Sequence, residues 1–238
     1  MGLKTTVFRT FIVLFVMALV GFCTRPLAEL AMRSAPVLGK GQSAAKSAVF
    51  SMLGGYRNIA ASLIWVSAYV YWEREDIAKC IPKLNLAVDL EPGSVNFWNM
   101  GAMIIAFDSP HWIFSKRPTS DRVEKNIRLR QGKLGLEFIN RGIALNPKSL
   151  RLRLTKSIIL EKVFDDKQAV LKCYEDMMKL GKVPIFVVRN YARSLEDVGK
   201  VKEALQVLEE NKDNFDKTHP AYQFYLGHIQ ELKNKLSK

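Results

Sequence analysis

A chain of 238 residues with 48% hydrophobic side chains can bury an ordinary core, as one large domain or two small ones, so disorder is not its default state. Its 36 Lys and Arg against 23 Asp and Glu leave a formal charge of +13, which draws it to phospholipid, nucleic acid or acidic protein without singling out one of them. Cys23, Cys80 and Cys173 lie among apolar residues and form no Cys-x-x-Cys pair or Cys/His cluster, so neither a disulfide framework nor a structural metal is called for and no cofactor is expected.

The first element is the uncharged run TFIVLFVMALVGFCT, Thr10 to Thr24, which stops at Arg25-Pro26. Counted from Thr5 it supplies about 20 residues, enough to cross a hydrocarbon core if Arg9 snorkels to the headgroups. Signal peptidase requires small residues one and three places before its cut, but Gly21 has Leu19 at that spacing and Phe22 spoils a lipoprotein box before Cys23. Residues 1–34, apolar over 5–24, are therefore expected to be an uncleaved single transmembrane anchor, with a cleaved signal as the alternative. Arg25, Arg33, Lys40 and Lys46 oppose Lys4 and Arg9 in setting orientation, whereas a short basic leader commonly stays inside; the exported side is the expectation for the body. Residues 35–55 read as a linker rich in Gly, Pro, Ser and Lys, with a short helix over Ala44–Leu53 that places Ala48 and Met52 on one face before Gly54-Gly55 ends it.

From residue 56 onward strand signals are nearly absent and apolar residues recur three and four apart, which predicts an all-α body. Ile64, Ser67, Ala68 and Tyr71, then Cys80, Leu84, Ala87 and Pro92, fit the tetratricopeptide (TPR) spacing W-x2-L-G-x2-Y followed by A-x3-F, Ala and Pro. The second repeat opens with Trp98, Gly101, Ala102 and Ile105 and closes with Gly135, Ile139, Gly142 and Pro147; this proline comes 55 residues after Pro92, so the repeat is longer than its 34-residue template. Ser157, Leu160, Ala169, Cys173 and Gly181 restore the phase, since Gly181 follows Pro147 by 34. Tyr191, Ala192, Leu195, Gly199, Ala204 and Leu208 form a fourth, and Gln223, Leu226 and Gly227 open a capping helix with a polar end. The expected architecture is an all-α, right-handed α-solenoid of TPR-like hairpins behind one N-terminal transmembrane helix. Within 56–238 the repeats span 61–94, 95–149 with an insertion over 108–132, 150–183 and 185–218, followed by a cap at 220–236.

The start of that body, Gly54-Gly55-Tyr56-Arg57, then Ala60-Ala61 and Leu63-Ile64-Trp65-Val66, resembles the segment opening a group of bacterial membrane-anchored TPR proteins, which reads roughly Gly-Gly-Phe/Tyr-Arg, then Ala-x-x-x-Leu-Trp. The resemblance implies a bacterial envelope protein and brings no activity with it; together with the expected anchor it gives a single-pass protein of the bacterial inner membrane.

No nucleophile elbow, phosphate loop, dinucleotide fingerprint or His-Glu-x-x-His motif occurs, and His111, His219 and His228 read as surface or packing residues, so an enzyme is not expected. In a TPR array the first helix of each hairpin lines the binding groove. The phase places Trp65, Tyr69 and Trp72 there from the first repeat, Asn96, Asn99 and Met103 from the second, Arg151 and Ile158 from the third, and Arg189 and Arg193 from the fourth. An aromatic end meeting a basic end suits an extended or helical protein segment with apolar anchors and carboxylates. Trp112, Arg122, Arg128 and Arg130 are expected on the surface of the insertion. The reading is a membrane-anchored protein-interaction scaffold, a subunit or assembly factor of an envelope or transporter complex, with no small-molecule substrate. The alternative is a basic scaffold for nucleic acid, anionic glycan or a membrane surface; the bases are spread among acids and interleave with no aromatic stacking platform, so specific nucleic-acid binding is not expected.

Overall fold

The computed structural model describes residues 56–116 and 120–237, and every regular element among them is helical. They fall into two compact units, one ending at Pro92 and the other beginning at Gly93.

In the first unit α1 (Arg57–Glu73) and α2 (Ile77–Leu90) form a hairpin. Ala61 and Ala68 of α1 are buried, as are Cys80, Leu84, Ala87 and Val88 of α2, so small side chains let the two backbones approach closely. Glu75 makes the turn in the left-handed region (φ 52°), and the Asp76 carboxylate then caps α2 by accepting from the Lys79 N–H at 3.2 Å. Arg57 Nη2 donates to the Leu90 carbonyl at 3.1 Å, tying the start of one arm to the end of the other.

The second unit opens with α3 (Val95–Met103), capped by Ser94, whose Oγ accepts from the Phe97 N–H. It runs through a single π-helical turn (Ile104–Asp108) into α4 (Ser109–Ser115). Pro110 explains the wider turn: it has no N–H to give, and its ring would clash with the carbonyl four residues earlier in an undisturbed α-helix. Ser109 Oγ donates to the Ile105 carbonyl at 2.7 Å and lies 3.1 Å from Gln131 Oε1, all buried. The return arm is α5 (Asp121–Leu145), 25 residues long. Residues beyond the usual repeat therefore lengthen both arms of one hairpin. Trp112, expected on an insertion surface, is only 6% exposed; the helix continuing past Pro110 carries it into the packing of these arms, which corrects that expectation. A Cβ built at Gly142 would lie 2.7 Å from the Trp98 ring, and one at Gly135 would meet Ala106 Cβ at 2.8 Å, so glycine sets how closely α3 and α5 cross.

Two further hairpins and a last helix follow: α6 (Leu150–Ile159), extended by a π-turn through Phe164, with α7 (Lys167–Met178); α8 (Ile185–Asp197) with α9 (Val201–Asn211); and α10 (Pro220–Leu236). Ser149 and Asp166 cap α6 and α7 through the Leu152 and Ala169 N–H groups. Met177, Val187, Val188, Ala192, Leu195, Ala204, Leu208 and Leu232 are almost wholly buried in one continuous core. The turns between arms repeat as well, with Asp165 (φ 50°) and Gly199 (φ 82°), 34 positions apart, both left-handed. A Cβ at Gly199 would touch nothing within 4 Å, so Gly199→Ala isolates the backbone strain and is expected to destabilise by about 1–2 kcal/mol in denaturant melts.

The placement in a bacterial inner membrane is corrected here. Among the described residues no helix is long and apolar enough to cross a membrane, and the apolar run over 5–24, with the linker and short helix over 35–55, lies outside the described residues.

Candidate functional site

In the second unit the first arms of successive hairpins, α6 and α8, and then α10, present equivalent positions. Arg151 and Phe186 occupy one phase 35 residues apart, Arg189 and Phe224 another, and Arg193 and His228 a third. Ile158, Phe186 and Phe224 are 39%, 45% and 68% exposed, apolar side chains that the core leaves uncovered. Arg189 and Arg193 lie one helical turn apart on α8, three and seven residues after Phe186. A recess of about 530 Å³ lies between α8 and α10, bounded by both arginines, Phe224 and His228 and also by the carboxylates of Glu196, Asp197 and Glu231. A second, of about 310 Å³, is bounded by Arg193, Lys167, Asn190 and Tyr174 and by the carboxylates of Glu161, Asp165 and Asp197. Because Arg193 borders both, the two form one strip along α8.

The charges within the strip are unevenly satisfied. Glu196 Oε1 is 2.6 Å from His228 Nε2, its Oε2 accepts from Lys235 Nζ at 2.9 Å, and Lys235 also reaches Glu231 at 3.0 Å. Among the described residues neither Arg189 nor Arg193 forms an ion pair. The Arg189 guanidinium lies 5.9 Å from the centre of the Phe224 ring, and its Nε is buried without a hydrogen-bond partner. Burial, and then the charge of Arg193, lower the proton affinity of Arg189. An anion arriving between the arginines would relieve their repulsion.

Burial raises the Glu196 carboxyl, but the hydrogen bonds from Lys235 and His228, with their charges, outweigh it and hold the group below the usual carboxylate range. A depressed folded value means that the unfolded chain takes up the proton first. The stabilisation is complete above the ordinary Glu range of about 4.3 and disappears as pH falls through the lower folded value. Wild-type protein is therefore expected to be more stable than Glu196→Gln at neutral pH, and melts at descending pH should show the gap closing.

The other expected groove residues are distributed as follows. Trp65, Tyr69 and Trp72 lie on α1 of the first unit, with Tyr69 52% exposed and stacked on Trp72 at 5.0 Å. On α3, Asn96 is exposed and Met103 half-buried, while Asn99 Oδ1 accepts a short hydrogen bond from the Thr155 hydroxyl, joining α3 to α6. Arg151 is exposed on α6. Arg122, Arg128 and Arg130 are exposed on α5, and the Arg128 guanidinium lies 4.7 Å from the centre of the Phe114 ring. Phe186 and Phe224 were not anticipated, although their spacing from Arg151 and Arg189 was a readable cue. Among the described residues no group of three His, Cys, Asp or Glu could hold a metal ion.

Small residues at the helix crossings, left-handed turns 34 residues apart and stacked two-helix units define a TPR-like helical fold. No protein-family model matches the chain, and no curated protein does. Among solved structures it is similar to the crystal structure of yeast Tom70, with a TM-score of 0.39 and 14% identity over 83% of this chain and 45% of that one. This chain thus spans less than half the length of that structure.

Proposed function

We propose that the chain is a protein-interaction scaffold rather than an enzyme, and that the strip on α6, α8 and α10 receives a segment of another protein. The observation behind this reading is the juxtaposition of Phe224, large and exposed, with two arginines that have no ion-pair partner among the described residues. Apolar side chains of the incoming segment cover the Phe224 ring, and its carboxylates meet Arg189 and Arg193. Exposed aromatics beside arginine are the composition on which interface energy concentrates. Probing an array of acidic, aromatic-containing peptides with the full chain tests the reading. Bound sequences should combine an apolar anchor with Asp or Glu, and Phe224→Ser should lose them. Equal binding by wild type and Phe224→Ser, or binding that follows peptide charge alone, would favour a basic scaffold for anionic polymers instead.

A further inference from the structure

Among the described residues five glycines lie inside helices, and four of them are explained by what they face. Glycine weakens a helix interior relative to alanine, so one that stands there commonly lets a neighbour come close. A Cβ at Gly101 would lie 2.7 Å from the Phe138 ring, one at Gly142 2.7 Å from the Trp98 ring, and one at Gly132 2.6 Å from Val163 and 3.1 Å from the Phe164 ring. Gly135 makes the same room for Ala106, at 2.8 Å. Three of these four therefore receive an aromatic ring on bare helix backbone. The fifth, Gly227 in α10, has no such neighbour: its φ is not left-handed, it is exposed, and a Cβ there would meet nothing within 4 Å. Neither backbone conformation nor packing within the chain calls for glycine at this position. Gly227 does, however, line the recess of about 530 Å³ between α8 and α10.

We propose that Gly227 is the floor of a site for an aromatic side chain of the incoming segment, whose ring lies on the α10 backbone as the Trp98 ring lies on Gly142. The site rests on the scaffold reading above, and it adds the side chain that the recess takes. Arg189 and Arg193 bound this recess together with Glu196, Asp197 and Glu231, so a carboxylate or an ammonium placed within it would meet both signs. A neutral ring suits both, since its negative face attracts a guanidinium and its positive edge a carboxylate. Phe224, 68% exposed at the same recess, offers a second ring against which it packs. Arg193, exposed and shared with the neighbouring recess, stays open to a carboxylate beside that ring in the segment.

Titrations of the full-length chain test the site with two blocked peptides, Asp-Ala-Asp-Trp-Asp-Ala-Asp and the same sequence with Ala in place of Trp. Wild type should bind the Trp peptide about tenfold or more tighter than the Ala peptide. Gly227→Ala should raise the melting temperature by about 2–4 °C, because alanine favours the helix and its methyl meets nothing in the chain. The same methyl should weaken the Trp peptide by about fivefold or more in Kd and leave the Ala peptide unchanged. Gly227→Gln, which fills more of the recess at the same charge, should remove the preference for Trp. A glycine kept for packing within the chain would instead lose stability on substitution, so a lower melting temperature for Gly227→Ala overturns the site. No preference for Trp in the wild type overturns it too, as does an undiminished preference in both Gly227 variants. Loss of both peptides on Phe224→Ser would then leave the scaffold reading intact, whereas unchanged binding by Phe224→Ser as well would remove both.

Discussion

Trp98→Ala is expected to destabilise the second unit by about 3–5 kcal/mol, the range for truncating a buried large aromatic. Trp98 is 1% exposed and stands against Phe138 with ring centres 4.8 Å apart, while Gly142 gives it room on the facing helix. Gly142→Ala sets two opposed effects against each other. Alanine is better in a helix interior by about 1 kcal/mol, yet its Cβ would sit 2.7 Å from the Trp98 ring, closer than real side chains pack. Trp98 Cβ also lies 2.9 Å from that position and no rotamer change moves it, so overpacking at about 1–3 kcal/mol should outweigh the propensity gain and leave a net loss. The double variant discriminates. Removing the indole lifts the contacts with its ring but leaves Cβ of residue 98 only 2.9 Å from the new methyl, so Trp98→Ala with Gly142→Ala should recover part of the overpacking loss and melt somewhat closer to Trp98→Ala alone than the separate losses predict. Additive losses in urea melts would show that Gly142 is tolerated for some reason other than the space it gives Trp98.

The same residues show how far the sequence could be read. Gly142 in phase with Trp98, and Ala192 with Ala204, are small-residue positions whose periodicity alone announces helical hairpins. What the periodicity could not announce was the path after Asp108. Ser-Pro-His-Trp looks like the start of a loop because proline ordinarily stops a helix, but one π-turn removes the clash, and the helix carries Trp112 into the packing. Ion pairs between elements were equally hidden. Lys233 and Lys235 read as a free polar tail, whereas Lys233 meets Glu209 at 2.6 Å and Lys235 meets Glu196, partners on other helices that no local pattern reveals. In the strip itself the arginines were legible because repeat phase puts the first arm of each hairpin on the groove and a spacing of four puts both on one face. Phe224 was not, since an aromatic at helical spacing is most simply read as core, and only its 68% exposure distinguishes it.

Removing both arginines should separate binding from stability. Arg189→Ala with Arg193→Ala breaks no ion pair among the described residues, and it relieves a like-charge repulsion while giving up the contact with Phe224. These small terms oppose each other, so the melting curve is expected to shift by no more than about 1 kcal/mol. Affinity for an acidic, aromatic-containing segment should fall by roughly 2–5 kcal/mol if each arginine makes a charge-assisted hydrogen bond, a loss of tens-fold to thousands-fold in Kd. The control must remove the same charge elsewhere without disturbing an ion pair, which excludes Lys233 and Lys235. Lys182→Ala with Lys202→Ala meets the condition, because both are exposed and neither borders the recesses. Long-range attraction would affect the two double variants alike and vanish as salt shortens the Debye length; contact with particular carboxylates would affect only the arginine pair and persist in salt. Equal losses from both pairs would mean that the +13 charge as a whole attracts the partner, and that the strip on α8 has no special part in holding it.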